Sequence, residues 1–102
     1  MSPADRNHRV VEVTLYGQFK DISFPLRCSN TARDNRVHGW VRVSTEDLGS
    51  GDNSATIHLE GLGYQVEGFL EWLRGGVPGV QIARMTTAPA TPESWTSFQI
   101  LD

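Results

Sequence analysis

The sequence predicts an α+β sandwich, with one antiparallel sheet, two helices on one of its faces and a short extra strand at the C-terminus. Three observations carry this. Val11, Val13 and Leu15 alternate with Glu12 and Thr14, and Ala55, Ile57 and Leu59 alternate with Ser54, Thr56, His58 and Glu60, the period of half-buried strands. Val66, Phe69, Leu70 and Leu73 recur at i, i+3, i+4 and i+7, the stripe of an amphipathic helix. Between and around them, the segments run strand, helix, strand, strand, helix, strand.

The first strand covers Val10–Tyr16, and Gly17 is read as its end. The loop Gln18–Ser23 leads to Phe24-Pro25, and proline suits the first turn of a helix because its N–H has no intrahelical use there. Ser23 is read as the N-cap. The helix Pro25–Asn35 has only a thin apolar stripe, Leu26, Cys28 and Ala32, and Ser29, Asn30, Thr31 and Asp34 compete for its backbone. Gly39–Val43 returns to strand character. Ser44–Asn53 is a turn rich in Gly, Ser, Asp and Asn, and the strand after it is the far arm of a hairpin. Gly61-Leu62-Gly63 is read as the strand break before the second helix, and Gly75-Gly76 stops that helix. Val80–Met85 is a strand, Thr86–Glu93 a proline-containing loop, and Thr96–Ile100 the last strand. This order is the split βαβ of ferredoxin-like folds.

With 102 residues the chain forms one domain, large enough for a core without disulfides or a structural metal. Nine Lys and Arg stand against twelve Asp and Glu, a net charge of −3, so there is no basic footprint for nucleic acid or an anionic membrane. The lone Cys28 has no internal partner, which suits a reducing cytoplasm. Met1–Arg9 is polar, without the apolar core of a signal peptide, and no apolar run spans a bilayer. Residues 1–8 are expected to form a disordered tail ahead of a domain at 9–102.

The stretch Tyr16–Val43, Y-G-Q-F-K-D-I-S-F-P-L-R-C-S-N-T-A-R-D-N-R-V-H-G-W-V-R-V, resembles the signature region of acylphosphatases. In that family a strand runs into a G-x-V-Q-G-V-G-F-R loop, a helix follows, and then G-W-V-x-N. The resemblance extends over Val10–Leu101 through G-W-V-R, through E-G-L-G-Y-Q-V-E-G-F-L-E-W-L-R-G-G-V-P-G at Glu60–Gly79, and through the closing F-Q-I. It implies hydrolysis of the carboxyl–phosphate bond of acyl phosphates. The loop amides cradle the phosphate, an arginine grips it and an asparagine positions the attacking water. It also implies no cofactor. In this sequence Gly17 and Phe24 match the motif. Asp21 and Ser23 stand where the family has glycines, Pro25 where it has the arginine, and Val43 where it has the asparagine. Against the family's hairpin, Ser44–Asn53 reads as an insertion.

No neutral side chain replaces an arginine fork on phosphate oxygens, and Pro25 also removes a backbone N–H from the rim of the cradle. Arg27 lies about 200° further round the helix and points away, and Arg42 lies on the opposite face of its strand from Val43. Lys20 is the residue placed to hold an anion. The candidate anion-binding loop is therefore Gly17, Gln18, Phe19, Lys20, Asp21, Ile22, Ser23 and Phe24, with no catalytic residue assigned.

The remaining side chains with chemical capability carry weaker signals. His8, His38 and His58 show no metal-ligand spacing and read as solvated histidines. Cys28 with His38 is read as packing, not as a thiol nucleophile. Trp40 and Trp72 are expected to pack the fold or its edge, and with Trp95 they lack the basic residues of a nucleic-acid platform. Glu46, Asp47 and Asp52 do not match a calcium loop. The reading is an acylphosphatase-like binding or regulatory module without ordinary catalysis, the alternative being an acylphosphatase of altered activity. The expected partners are a small anion, an acyl phosphate or a protein, and the expected state is monomeric.

Overall fold

A computed structural model describes residues 8–19, 23–44, 46 and 52–101. Seven elements follow in order: β1 (His8–Gln18), α1 (Ser23–Asp34), β2 (His38–Val43), β3 (Asn53–Leu62), α2 (Gly63–Arg74), β4 (Gln81–Pro89) and β5 (Phe98–Leu101). The sheet order is β4-β1-β3-β2-β5. The first four strands pair antiparallel, and β5 adds in parallel along the outer edge of β2. This is the ferredoxin-like α+β plan with a short C-terminal strand.

One face of the sheet meets both helices. Val11, Val13 and Leu15 of β1, Val41 of β2 and Ala55, Ile57 and Leu59 of β3 are buried against Phe24, Cys28 and Ala32 of α1 and Val66, Phe69, Leu70 and Leu73 of α2. The α2 stripe is the predicted one. The α1 stripe differs, because Phe24 is fully buried while Leu26 is 56% exposed. Phe24, Cys28 and Ala32 are spaced by four, so they stack on one side of the helix, and Leu26 falls on the other.

Several strand ends move outward because tertiary pairing extends them. His8 already pairs with Leu62, so residue 8 belongs to β1, and the rest of the expected tail lies outside the described residues. Gly61 and Leu62 do not break β3, since they pair with Arg9 and His8. Met85 is followed by four more strand residues, because β1 offers partners as far as Val11 opposite Pro89. Gly17 does not end β1. It pairs with Asn53 on one side and Ile82 on the other, at a register shift beside Tyr16, and a Cβ there would lie 1.9 Å from the Gln81 carbonyl oxygen. This glycine allows a close backbone approach within the sheet. Ser23, read as the cap, lies in the first turn of α1, where its Oγ accepts from Arg27 Nε at 3.2 Å.

The opposite face of the sheet is not simply the solvated polar face the alternation predicted. His58 and Glu60 on β3 are 1% and 4% exposed, because residues 90–97, the strap between β4 and β5, cross over them. Among the described residues, no helix is long and apolar enough to cross a membrane.

Candidate functional site: the β1–α1 junction and the strap clamp

The signature region occupies the end of β1, the start of α1 and the end of β2. Of the eight candidate loop residues, Gly17 is buried in β1, Gln18 is its exposed last residue, and Ser23 begins α1. Phe19 and Phe24 are core side chains, with ring centroids 5.1 Å apart. Lys20, Asp21 and Ile22 lie outside the described residues. Pro25 is half-buried in the first turn of α1. Val43 is half-buried, paired with Ala55 and packed against the core.

Asn53 was not singled out from the sequence, yet it joins the parts of this junction. Its Oδ1 accepts from the Phe19 amide at 3.0 Å, and its Nδ2 donates to the Ser44 carbonyl at 2.8 Å. Ser44 N–H in turn donates to Ser54 at 2.8 Å. Both ends of the Asn53 side chain are thus used to tie the end of β1 to the mouth of the β2–β3 hairpin. The remainder of the Ser44–Asn53 insertion is described only at Glu46, whose N–H donates to Ser44 Oγ at 3.2 Å, and at half-buried Asp52. Asp47 lies outside the described residues.

Arg27 is occupied with Ser23, and Arg42 lies over the Trp40 ring, 5.5 Å from its centroid. Arg27 does not point away as expected but reaches back one turn to a residue of the junction, while Arg42 is taken up by the tryptophan of its own strand. Cys28 is fully buried and burial pushes its thiol pKa far up, so it is a packing residue and not a nucleophile. His38, which shares no hydrogen bond with it, is exposed and donates from Nδ1 to the Trp95 carbonyl at 3.1 Å. His8 is exposed on β1.

His58, in contrast, is a correction. It stands in a second cluster on the open face of the sheet, centred on Glu60. The Glu60 carboxylate accepts from His58 Nε2 at 2.6 Å, from the Glu93 amide at 2.7 Å and from the Ser94 amide at 3.1 Å. Glu93 Oε1 accepts both indole N–H groups, from Trp40 at 2.9 Å and Trp95 at 2.7 Å. Trp40 also stacks on the His58 ring. Trp72 belongs to the helix side, edge-on to Phe69, so the three tryptophans form no common platform.

Burial pushes the Glu60 carboxyl up, but the His58 hydrogen bond and the two strap amides outweigh it and hold the group below the usual carboxylate range. The two indole donors hold Glu93 low as well. Among the described residues, His58, Glu60 and Glu93 are the group whose ligand atoms stand close enough to hold a cation, all within 4.8 Å of one another. Four N–H donors already occupy those carboxylates besides His58. The arrangement is a clamp that fixes the strap to the sheet. Its sequence signal was an acidic residue and a histidine two apart on a strand, which local periodicity assigns to solvent.

A sheet of four antiparallel strands and one parallel edge strand, with two helices on one face, defines the class: a ferredoxin-like α+β sandwich. The chain belongs to the acylphosphatase family, whose model matches residues 11–100. An acylphosphatase from Cupriavidus pinatubonensis is 25% identical over 77 residues, 76% of this chain and 79% of that protein. Among solved structures, an acylphosphatase from Coxiella burnetii superposes with a TM-score of 0.84 at 18% identity, covering 99% of this chain and 100% of its own. The acylphosphatase from Bacillus subtilis gives 0.78 at 17%, covering 91% and 98%. Full-length HypF, solved with phosphate and nucleotide bound, gives 0.77 at 16%, with 93% of this chain matching 12% of HypF. At these identities the solved structures share the fold.

Proposed function

We propose that this chain is an acylphosphatase-family domain that does not carry out ordinary acyl-phosphate hydrolysis and serves as a binding or regulatory module. The observation that carries the reading is the pair Pro25 and Val43, standing where the family's motif has its arginine and asparagine. Phosphoryl transfer of this kind rests on positioning and on cationic stabilisation of the phosphoryl oxygens. Proline supplies neither a charge nor an amide N–H, and valine cannot orient a water. The neighbouring polar groups are spent on holding the junction together, Arg27 on Ser23 and the Asn53 amide on Phe19 and Ser44. The HypF comparison supports the module part of the reading, since there a fold of this kind makes up 12% of a larger chain.

The test is hydrolysis of an aromatic acyl phosphate by the natural chain and by a Pro25→Arg, Val43→Asn double variant. Silence in the natural chain with activity in the variant is the expected result. Activity in the natural chain above its heat-denatured control sinks the proposal, and would make Lys20 with the loop amides the anion holder. Gel filtration with a mixed partner screen addresses the module's contacts, for which the Ser44–Asn53 insertion is the first surface to delete.

A further inference from the structure

The C-terminal end of α1 closes with a Schellman cap. Val37 N–H donates to the Ala32 carbonyl at 2.8 Å and Arg36 N–H to the Arg33 carbonyl at 3.1 Å, the 6→1 and 5→2 bonds of that motif. Ala32 and Val37, buried together, complete it. The motif requires a left-handed residue at the position Arg36 occupies, and Arg36 has φ 58°. Glycine adopts that conformation without penalty and other residues do so at a cost. An arginine therefore stands at the position in the cap where a side chain is a liability.

Arg36 and Arg33 line a groove of about 560 Å³ between this end of α1, the strap and β5. His38, Ser29, Ser97 and Gln99 line it as well, and among the described residues no carboxylate does. Val37 and Phe98 supply an apolar wall. His38 spends Nδ1 on the Trp95 carbonyl, and its Nε2 has no partner among the described residues.

The other described arginines are engaged. Arg9 and Arg74 both pair with Glu67, Arg27 meets Ser23, Arg42 covers Trp40 and Arg84 covers Tyr16. The guanidinium groups of Arg33 and Arg36 have no such partner among the described residues. In a chain of net charge −3, two uncommitted guanidiniums share one polar groove.

We infer that this groove binds a small organic anion carrying at least two negative charges on phosphoryl or carboxyl groups. Guanidinium forks match both groups in bidentate geometry. The serine and glutamine side chains add neutral hydrogen bonds, and the Val37–Phe98 wall takes a carbon body. Arg33 lies about 15 Å along α1 from Ser23, so the arginine pair is separate from the family's phosphate cradle, and the groove stands whether or not that loop retains catalysis.

Amide-resolved NMR titration of the full chain with inorganic pyrophosphate, and separately with citrate, tests it. Shifts centred on residues 29–38 and 96–99 are expected with at least one of the two, and the stronger one identifies the anionic group. Arg36→Gly and Arg33→Gln should each weaken the titration about tenfold. Because glycine is the favoured residue at that point of the cap, Arg36→Gly should retain an unchanged or raised melting temperature, which separates lost binding from lost folding. Absence of shifts at millimolar concentrations of both anions overturns the inference. So do groove shifts that Arg36→Gly leaves unaltered, and so do shifts centred on residues 17–26, which an anion held by the signature loop would give.

Discussion

The two ends of α1 are built on opposite plans. At its N-terminal end, Phe19 packs against Phe24, Val43 packs on the core, Asn53 uses both ends of its amide, and Arg27 is held by Ser23. At its C-terminal end, Arg33 and Arg36 line an open polar groove with His38. The family's signature lies at the first end, and among the described residues the arginines without a partner lie at the second. A loop's frame is kept by aromatic contacts and backbone bonds that are indifferent to whether an anion sits in it, so motif position and available chemistry are separable properties. Gly17 makes the same point, since it belongs to the motif but is required locally by the approach of the Gln81 carbonyl.

The contrast can be broken or sharpened by graded changes. The largest effect is expected at the N-terminal end, where the Pro25→Arg, Val43→Asn double variant should hydrolyse an aromatic acyl phosphate on the order of 10³-fold faster than the natural chain. No gain in steady-state rate would show that the apolar plan of that end extends beyond the two substituted positions.

Next is the clamp that holds the strap beside the C-terminal end. Glu60→Ala leaves His58 and the Glu93 and Ser94 amides without their acceptor, and urea unfolding should register a loss of about 3–5 kcal/mol. A loss below about 1 kcal/mol would mean that the strap is held by something other than Glu60. Since Ser97 lies on the strap and lines the groove, the same variant should blur the contrast by weakening anion binding.

The clamp also carries a pH signature. Glu60 is held below its ordinary value of 4.5 in the folded chain, so folding favours the ionised form. Its stabilising contribution is fully present above that ordinary value and is lost as pH falls through the lower folded value. Thermal melts of the natural chain and Glu60→Gln should therefore differ most at neutral pH and converge in acid. Convergence at neutral pH with a gap in acid would reverse the assignment.

The smallest effect is that of Arg36→Gly on stability, a gain of up to about 1 kcal/mol. A destabilisation of that size would place the Arg36 side chain among the contacts of the fold, and the groove would keep only Arg33 as an uncommitted cation.

The elements were legible where side-chain period and burial coincide. The α2 stripe at Val66, Phe69, Leu70 and Leu73 and the β1 and β3 alternations all reach the core as read. The resemblance at Gly17, Phe24 and G-W-V-R located the junction and the family. Legibility failed where a distant segment decides the outcome. Leu26 looks apolar in the window, but the position four before Cys28 belongs to Phe24. His58 and Glu60 read as solvent-facing because nothing within ten residues of them announces the strap. Asn53 reads as a turn residue until Phe19 and Ser44 are brought to its amide.

What the amino-acid order determines by itself is local and periodic: which faces are apolar, where helices start and stop, and which residues stand at the signature positions, Pro25 and Val43 among them. These follow from hydrophobic spacing and backbone chemistry within a few residues. Tertiary structure alone decided that β4 extends to Pro89, that Glu60 becomes the buried acceptor of the strap, and that Arg33, Arg36 and His38 share one groove with Ser97 and Gln99. Each of these depends on groups far apart in the chain, whose partners appear only when the sheet closes and covers what local polarity alone would have left in water.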